Sequence, residues 1–283
     1  MTPKISVIIP THNRRLLVKR AVDSVLKQTY PNFEILLVDD GSTDKTRGLL
    51  DQIDARLRYF FQENSGVACA RNLGIRHARG EWLAFLDSDD YWLPNKLETQ
   101  IGFHEKMTDF KISQTNEIWI RRSIRVNATK KHEKLHGWIF EPSLSLCLIS
   151  PSTVLISREV FDKIGLFDES LPVCEDYELW LRATLFFPVG LVETPLVVKH
   201  GGHPDQLSRR YWGMDRFRIR AIEKTLSSFQ LSPEKRSACL KELDRKCRIY
   251  AKGCLKRGRT DEANFFLELS RKYSPDNHAL LQA

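Results

Sequence analysis

Three carboxylates fall within four residues at Asp87-Ser88-Asp89-Asp90, directly after the apolar run Trp82-Leu83-Ala84-Phe85-Leu86. Carboxylates that close repel one another unless a cation sits among them. Asp87 and Asp89 are two residues apart, so in an extended backbone both project to one side and can share a divalent ion. The competing reading is an acidic turn that caps the next helix, because Asp favours turns and N-caps and Pro94 follows. Asp90 has the weaker claim to a metal and suits a cap on a helix that includes Leu93–Ile101. Other residue groups carry chemistry of their own. Asp39 and Asp40 follow the apolar run Phe33–Val38 and are placed either to accept hydrogen bonds from a ribose or base, or to cap a helix starting near Thr43. Asn64-Ser65-Gly66, with Ala68, Ala70, Arg71, Asn72 and Gly74, is a small-residue stretch that lets backbone approach a ligand closely. Arg71 suits a phosphate or a surface ion pair. Glu175-Asp176 precedes helical apolar spacing at Leu179, Trp180 and Ala183, where acids are stabilised by the helix start. His200 and His203 flank a Gly-Gly pair after an apolar stretch at Leu196–Lys199.

The elements that must position these groups follow from hydrophobic period. Ile5–Ile9 is a β-branched run stopped by Pro10, and Phe33–Val38 and Leu57–Gln62 read as further buried strands. Helical spacing over about Leu16–Gln28, a helix from about Thr43 to Ile53, and loop-then-helix over 64–79 separate them. The order β-α-β-α-β-α-β predicts an α/β fold with a parallel, helix-covered sheet. In such sheets ligands bind beyond the carboxyl ends of the strands, where the polar loops lie. Residues 103–140 are less regular, charged, with Trp119, Trp138 and Lys130-Lys131-His132; the tryptophans suit either a sugar face or packing, and packing is the expectation. Ser150–Ile156 reads as a strand. Helices are expected over about 211–229, 233–256 and 260–272, with one weak tetratricopeptide-like spacing around Tyr250, Gly253 and Gly258.

Four ordered segments carry a resemblance: Val7-Ile8-Ile9-Pro10-Thr11-His12-Asn13, Val38-Asp39-Asp40-Gly41-Ser42-Thr43-Asp44, Asn64…Ala70-Arg71-Asn72-Leu73-Gly74 and Phe85-Leu86-Asp87-Ser88-Asp89-Asp90. Together they resemble the successive signatures of family 2 glycosyltransferases of the GT-A fold, over about residues 3–205. The resemblance implies an enzyme of the inverting, hexosyl-transferring type that moves a single sugar from a nucleotide-diphospho-sugar, with a UDP-sugar as the expected donor. It implies that Pro10 and Thr11 line the base and that Asp40 meets base or ribose. It places Arg71 near the diphosphate and has Asp87 and Asp89 flank a Mg²⁺ or Mn²⁺. Asn13, Asp39, Asn72, Ser88 and Glu175 join the implied donor-contact set, and either His200 or His203 contacts the diphosphate or metal. Glu175-Asp176 resembles the family's catalytic acidic motif, so Asp176 is the implied general base. The chemistry agrees: a nucleoside diphosphate leaves poorly unless its developing charge is neutralised, and hard oxygen ligands favour such ions.

The implied organisation is a GT-A glycosyltransferase domain over 1–205, its nucleotide-sugar half at about 1–100 and acceptor half at about 101–205, followed by a basic helical region at 206–283. Lys+Arg and Asp+Glu number 15 and 15 in residues 1–110, 11 and 11 in 111–204, and 18 and 10 in 205–283, so the whole +8 excess lies in the tail. That pattern suits a solvated helical face, an anionic membrane surface or nucleic acid. The acceptor is expected to be a glycan or lipid-linked glycan of cell-surface polysaccharide or glycoconjugate synthesis. Contact with an anionic membrane and no nucleic-acid partner are expected. No apolar run approaches the roughly 18 residues of a membrane span, and a cytoplasmic location, at most at the membrane's inner face, is expected. The six cysteines have no zinc-ligand spacing and are expected to be reduced; Cys239, Cys247 and Cys254 can share one helix face. Two rivals remain. A nucleotidyltransferase making the activated sugar needs a Gly-rich loop after the first strand, and Pro10–Arg15 has no glycine. A non-catalytic basic module would use the tail alone. A processive polysaccharide synthase is disfavoured, because the chain lacks a Gln-x-x-Arg-Trp motif.

Overall fold

The structure, a computed structural model, describes residues 2–49, 54–126, 132–202 and 210–273. Strands β1 (Ile5–Thr11), β2 (Phe33–Asp40), β3 (Leu57–Gln62) and β4 (Trp82–Phe85) pair in parallel in the order β3-β2-β1-β4. Helices α1 (Arg15–Leu26) and α2 (Val67–His77) cross between them. β1 and β2 are buried along their full length, which is why they read as continuous apolar runs rather than alternating ones. Gly74 permits the close crossing of α2 over the sheet: a Cβ there would lie 2.5 Å from Cγ2 of Ile8.

The second half of the sheet is mixed. β5 (Tyr91–Trp92), β6 (Ile112–Arg121), β7 (Ile124–Val126), β8 (Leu155–Ser157) and β9 (Val189–Gly201) extend the order as β4-β8-β6-β9-β5, with β7 on β6. β8 runs antiparallel to β4 and β6, whereas β6 and β9 form a long parallel ladder with a bulge around Asn116. Helices α3 (Lys96–Lys106), α4 (Phe140–Ser145), α5 (Arg158–Ile164) and α6 (Glu175–Phe186) flank this half. Then come α7 (Asp215–Ser228), α8 (Pro233–Leu255) and α9 (Thr260–Tyr273). They are not loosely attached. Phe217, Ile222, Cys239, Leu243, Cys247, Tyr250 and Cys254 share one buried cluster with Tyr177, Leu181 and Leu185 of α6. Cys239, Cys247 and Cys254 do share the buried face of α8, and all six cysteines are free thiols.

Three expectations are corrected. The helix expected from Thr43 is, among the described residues, a single 3₁₀ turn at Arg47–Leu49; residues 50–53 lie outside the described set. The stretch expected to be irregular contains the ten-residue β6. Trp138 does not pack: it is 65% exposed, with the Lys235 ammonium 5.8 Å from its ring centre. Lys130 and Lys131 lie outside the described residues.

Candidate functional site

The parallel register brings the first motifs together. Thr11 lies opposite Asp39, and Ile8 opposite Phe85, so the loops after β1, β2 and β4 emerge at one edge of the sheet. Asn13 adopts a left-handed backbone (φ 52°), the kind of local strain that persists where surrounding bonds fix it. Its Oδ1 accepts from Thr43 N (2.7 Å) and its N–H donates to Ser42 Oγ (2.8 Å), which ties the first loop to the second. His12 Nδ1 donates to the Asp40 carbonyl (2.7 Å). Pro10 and Thr11 are buried, and Thr11 Oγ1 has no hydrogen-bond partner among the described residues.

Asp39 and Asp40 already have protein partners. Asp39 accepts from Ser42 N–H (2.8 Å) and from Tyr59 O–H (2.8 Å). Asp40 accepts from Gln62 (2.7 Å), Ser65 N–H (2.8 Å) and Gly66 N–H (2.9 Å). Gly66, at φ 95°, is the residue from which α2 starts, so Asp40 holds the small-residue loop in place rather than capping a helix at Thr43.

From α2, Arg71 reaches across the site. The residue is 3% exposed, and its guanidinium donates to Asp87 Oδ1 (2.8 Å) and Glu175 Oε1 (2.5 Å), joining the Asp87–Asp90 cluster to the start of α6. Asn72 turns elsewhere: it bonds Phe167 in both directions (2.9 and 3.0 Å) and Glu169 (2.8 Å), fixing the loop before α6.

The acidic cluster divides into three environments. Burial pushes the Asp87 carboxyl up, but Arg71, Lys199 and Arg14 outweigh it and hold it below the ordinary carboxylate range. Its side chain is 28% exposed. Asp89 pairs with Arg14 (2.9 Å) and is 13% exposed, and its carbonyl accepts from Arg20 (2.6 Å). Asp90 is buried and does not cap α3. It accepts from Ser152 O–H (2.7 Å) and from His200 N–H (3.0 Å), latching β9 to this edge, and burial drives its carboxyl well above the ordinary value. Ser88 is buried between them. His200 stands beside this cluster, its Nε2 3.4 Å from Arg20 and its ring against Tyr91. His203 lies outside the described residues.

α6 begins after Cys174, again in the left-handed region (φ 62°), and carries Glu175, Asp176 and Glu178 in its first turn. Burial and the neighbouring Asp176 charge push the Glu175 carboxyl up to about 7, against the pull of Arg71. Asp176 is half-buried. It accepts from Tyr177 N–H (2.7 Å) and faces the Cys147 thiol (3.6 Å).

Sequence reasoning missed Arg14, Cys147, Glu117 and Lys199. Burial would lower the Lys199 ammonium, yet Glu117, Asp90, Asp87 and Asp176 outweigh that and raise it. Lys199 also donates to Ser150 Oγ (3.0 Å). Its only sequence signal was its place beside His200, and Arg14's was its place in the loop after β1.

Asp87 and Asp89 offer a divalent ion two hard, accessible carboxylates on one loop, which suits Mg²⁺ or Mn²⁺. Among the described residues no group of three or more metal-ligating side chains forms. The residues therefore fit an ion whose shell is completed by ligands other than protein, provided Arg14 yields Asp89.

The sheet order and the converging loops define a GT-A fold, the architecture of nucleotide-diphospho-sugar transferases. Residues 6–165 match the family described as glycosyl transferase family 2, and the chain belongs to that family. It is 48% identical over 187 residues to the putative teichuronic acid biosynthesis glycosyltransferase TuaG of Bacillus subtilis, covering 63% of this chain and 71% of TuaG. It is 36% identical over 181 residues to the UDP-Glc:alpha-D-GlcNAc-diphosphoundecaprenol beta-1,3-glucosyltransferase WfgD of Escherichia coli, covering 62% and 68%. It spans between 26% and 61% of the length of five Rickettsia glycosyltransferases that are 36–38% identical to it. The fold is also that of Staphylococcus aureus TarS 1–349 solved with UDP-GlcNAc (TM-score 0.72, 17% identity, 95% and 92% of the two chains). A Pyrobaculum calidifontis mannosyltransferase solved with GDP-Man and Mn²⁺ gives a TM-score of 0.64 at 17% identity, over 100% of this chain and 79% of that one. No described helix is long and apolar enough to cross a membrane.

Proposed function

We propose that this chain transfers a single sugar from a nucleotide-diphospho-sugar, a UDP-sugar first, to an acceptor hydroxyl with inversion, in cell-surface polysaccharide or glycoconjugate synthesis. One observation carries the reading: Arg71 ties Asp87, just after β4, to Glu175 at the start of α6, which brings the Asp87 loop beside the turn that carries Asp176. The buried Thr11 hydroxyl, which has no partner among the described residues, supports a base bound beside it, since an unmet buried polar group costs about 1–3 kcal/mol that a ligand can recover. Asp87 and Asp89 would hold a Mg²⁺ or Mn²⁺, and such an ion supplies positive charge to the departing diphosphate. Asp176 takes the acceptor proton as the C–O bond forms, a role for a carboxylate that is required only in the transition state. Glu175, lifted to about 7 by burial and the Asp176 charge and held by Arg71, is engaged in that ion pair, which leaves the proton-accepting role to Asp176. WfgD, by its name, uses UDP-Glc and a diphosphoundecaprenol-linked acceptor; by analogy the acceptor here is a lipid-linked glycan, met at the inner face of an anionic membrane.

The test is Asp176→Asn, assayed separately for sugar transfer and for nucleotide-sugar binding. Transfer falling by roughly 10²–10⁴ with binding retained is expected for loss of a general base. Loss of both together would count against that role.

A further inference from the structure

Part of the tail's excess charge lies along one face of α8. With 100° per residue, the buried residues Cys239, Leu243, Cys247, Tyr250 and Cys254 form one arc that packs into the cluster shared with α6. On the opposite arc lie Lys241, Arg245, Arg248, Lys252 and Lys256, all exposed. Leu255 and Ile249 bound that arc at its two edges, 51% and 48% exposed. Between 237 and 256 that arc carries no carboxylate. Glu242 and Asp244 sit at its margins, where they pair with Arg245 and Arg248. The charge left over therefore rests on the three lysines, along about 22 Å of helix at 1.5 Å per residue.

We infer that this face of α8 docks on an anionic phospholipid surface, with Ile249 and Leu255 entering the headgroup layer and the lysines meeting lipid phosphates. The inference deepens the proposed function by assigning the membrane contact to named residues, and its test does not depend on sugar transfer. The exposed aliphatics select lipid over nucleic acid. A phosphate backbone rewards the cations alone, whereas a bilayer interface rewards cations and apolar side chains presented on one face. The basic face also lies opposite the one that buries against α6, so docking leaves the catalytic half's packing undisturbed.

The experiment is co-sedimentation of the full chain with vesicles of phosphatidylglycerol and phosphatidylcholine, and with phosphatidylcholine alone. Wild type is expected to bind the anionic vesicles and to release as salt is raised. Lys241→Gln/Lys252→Gln/Lys256→Gln is expected to bind roughly 100-fold more weakly, at about tenfold per 1.4 kcal/mol and ~1 kcal/mol per lysine. Ile249→Ser/Leu255→Ser is expected to weaken vesicle binding several-fold and leave binding to a DNA duplex unchanged. All of these side chains are on the surface, so unfolding transitions should match wild type. Equal binding to neutral vesicles, a triple variant that binds like wild type, or a serine variant with no loss on vesicles would each overturn the assignment. Duplex binding as tight as vesicle binding at the same salt would reassign the face to nucleic acid.

Discussion

Replacing Arg71 by methionine removes the guanidinium that joins the Asp87–Asp90 loop to α6. Met keeps most of the side-chain volume, so the cost is electrostatic rather than a cavity. Arg71 and Glu175 have side chains 4% and 5% exposed, so the loss leaves a buried carboxylate beside Asp176 with its partner gone. Breaking a buried pair in this way costs about 3–5 kcal/mol. For a chain of this size that corresponds to a fall in Tm on the order of 6–20 °C. The pH dependence has a definite sign. Glu175 already titrates at about 7, above the ordinary glutamate value of 4.5, and losing Arg71 raises it further. The penalty is therefore full above that raised value, where the carboxylate is charged, and is relieved as pH falls and the proton binds. Thermal unfolding of Arg71→Met at pH 6 and pH 8 should show the larger deficit at pH 8. Arg71→Met/Glu175→Gln should recover most of it, because the glutamine brings no charge to bury. A single variant within about 1 kcal/mol of wild type, or a double variant no better than the single, would refute the reasoning.

Two further outcomes follow from other groups. Arg14→Gln frees Asp89 from a partly exposed ion pair that is worth about 0.5–1 kcal/mol, so Mn²⁺ titrated without nucleotide should bind roughly 2–5-fold more tightly; unchanged or weaker binding would show that Arg14 does not compete with the ion. His104 is buried, donates Nδ1–H to the Phe110 carbonyl and accepts from Ser113 O–H, and burial lowers it to about 4 from the ordinary histidine value of 6.5. Because its folded value is the lower one, its contribution is complete above pH 6.5 and is lost as pH falls toward 4, by about 3 kcal/mol. Denaturant midpoints across that range should fall in wild type and flatten in His104→Gln; parallel curves would exclude His104 as the source.

The first half of the fold was legible because β1, β2 and β4 are buried on both faces and announce themselves as apolar runs. β6 was not. After Ile112 come Ser113, Gln114 and Thr115, polar yet fully buried: Gln100 and His104 meet Ser113, Lys134 meets Gln114, and Thr115 donates to the Asn116 carbonyl. A strand whose buried face is polar has no hydrophobic period to read. The helix expected after Thr43 failed for a related reason. Asn13 and Asp44 take the backbone N–H groups of Thr43 and Thr46, so the turn is held by side chains that helix spacing does not register. In the site, residues within one motif were legible, and pairings between motifs were not. Nothing local to Arg71 reveals that its partners lie 16 and 104 residues away.

The charge balance gives the Asp87–Asp90 cluster its meaning. Arg14 pairs with Asp89, Arg71 with Asp87 and Glu175, and Lys199 stands among Glu117, Asp90, Asp87 and Asp176. Burial pushes the Asp90 carboxyl well above its ordinary value and, with the Asp176 charge, lifts Glu175 to about 7, so neither carries a full charge at neutral pH. The protein's own cations therefore already meet the carboxylates of Asp87 and Asp89 without a metal. Such a site has no need of an ion in order to fold. An ion bound with a diphosphate would add positive charge there, with phosphate oxygens completing its shell. To take Asp89 it would have to displace the Arg14 guanidinium, which could then meet a phosphate oxygen. The Arg14→Gln titration therefore bears on the order of events as well as on affinity. If removing the guanidinium tightens Mn²⁺ without nucleotide, Arg14 is the element that makes the ion wait for its donor.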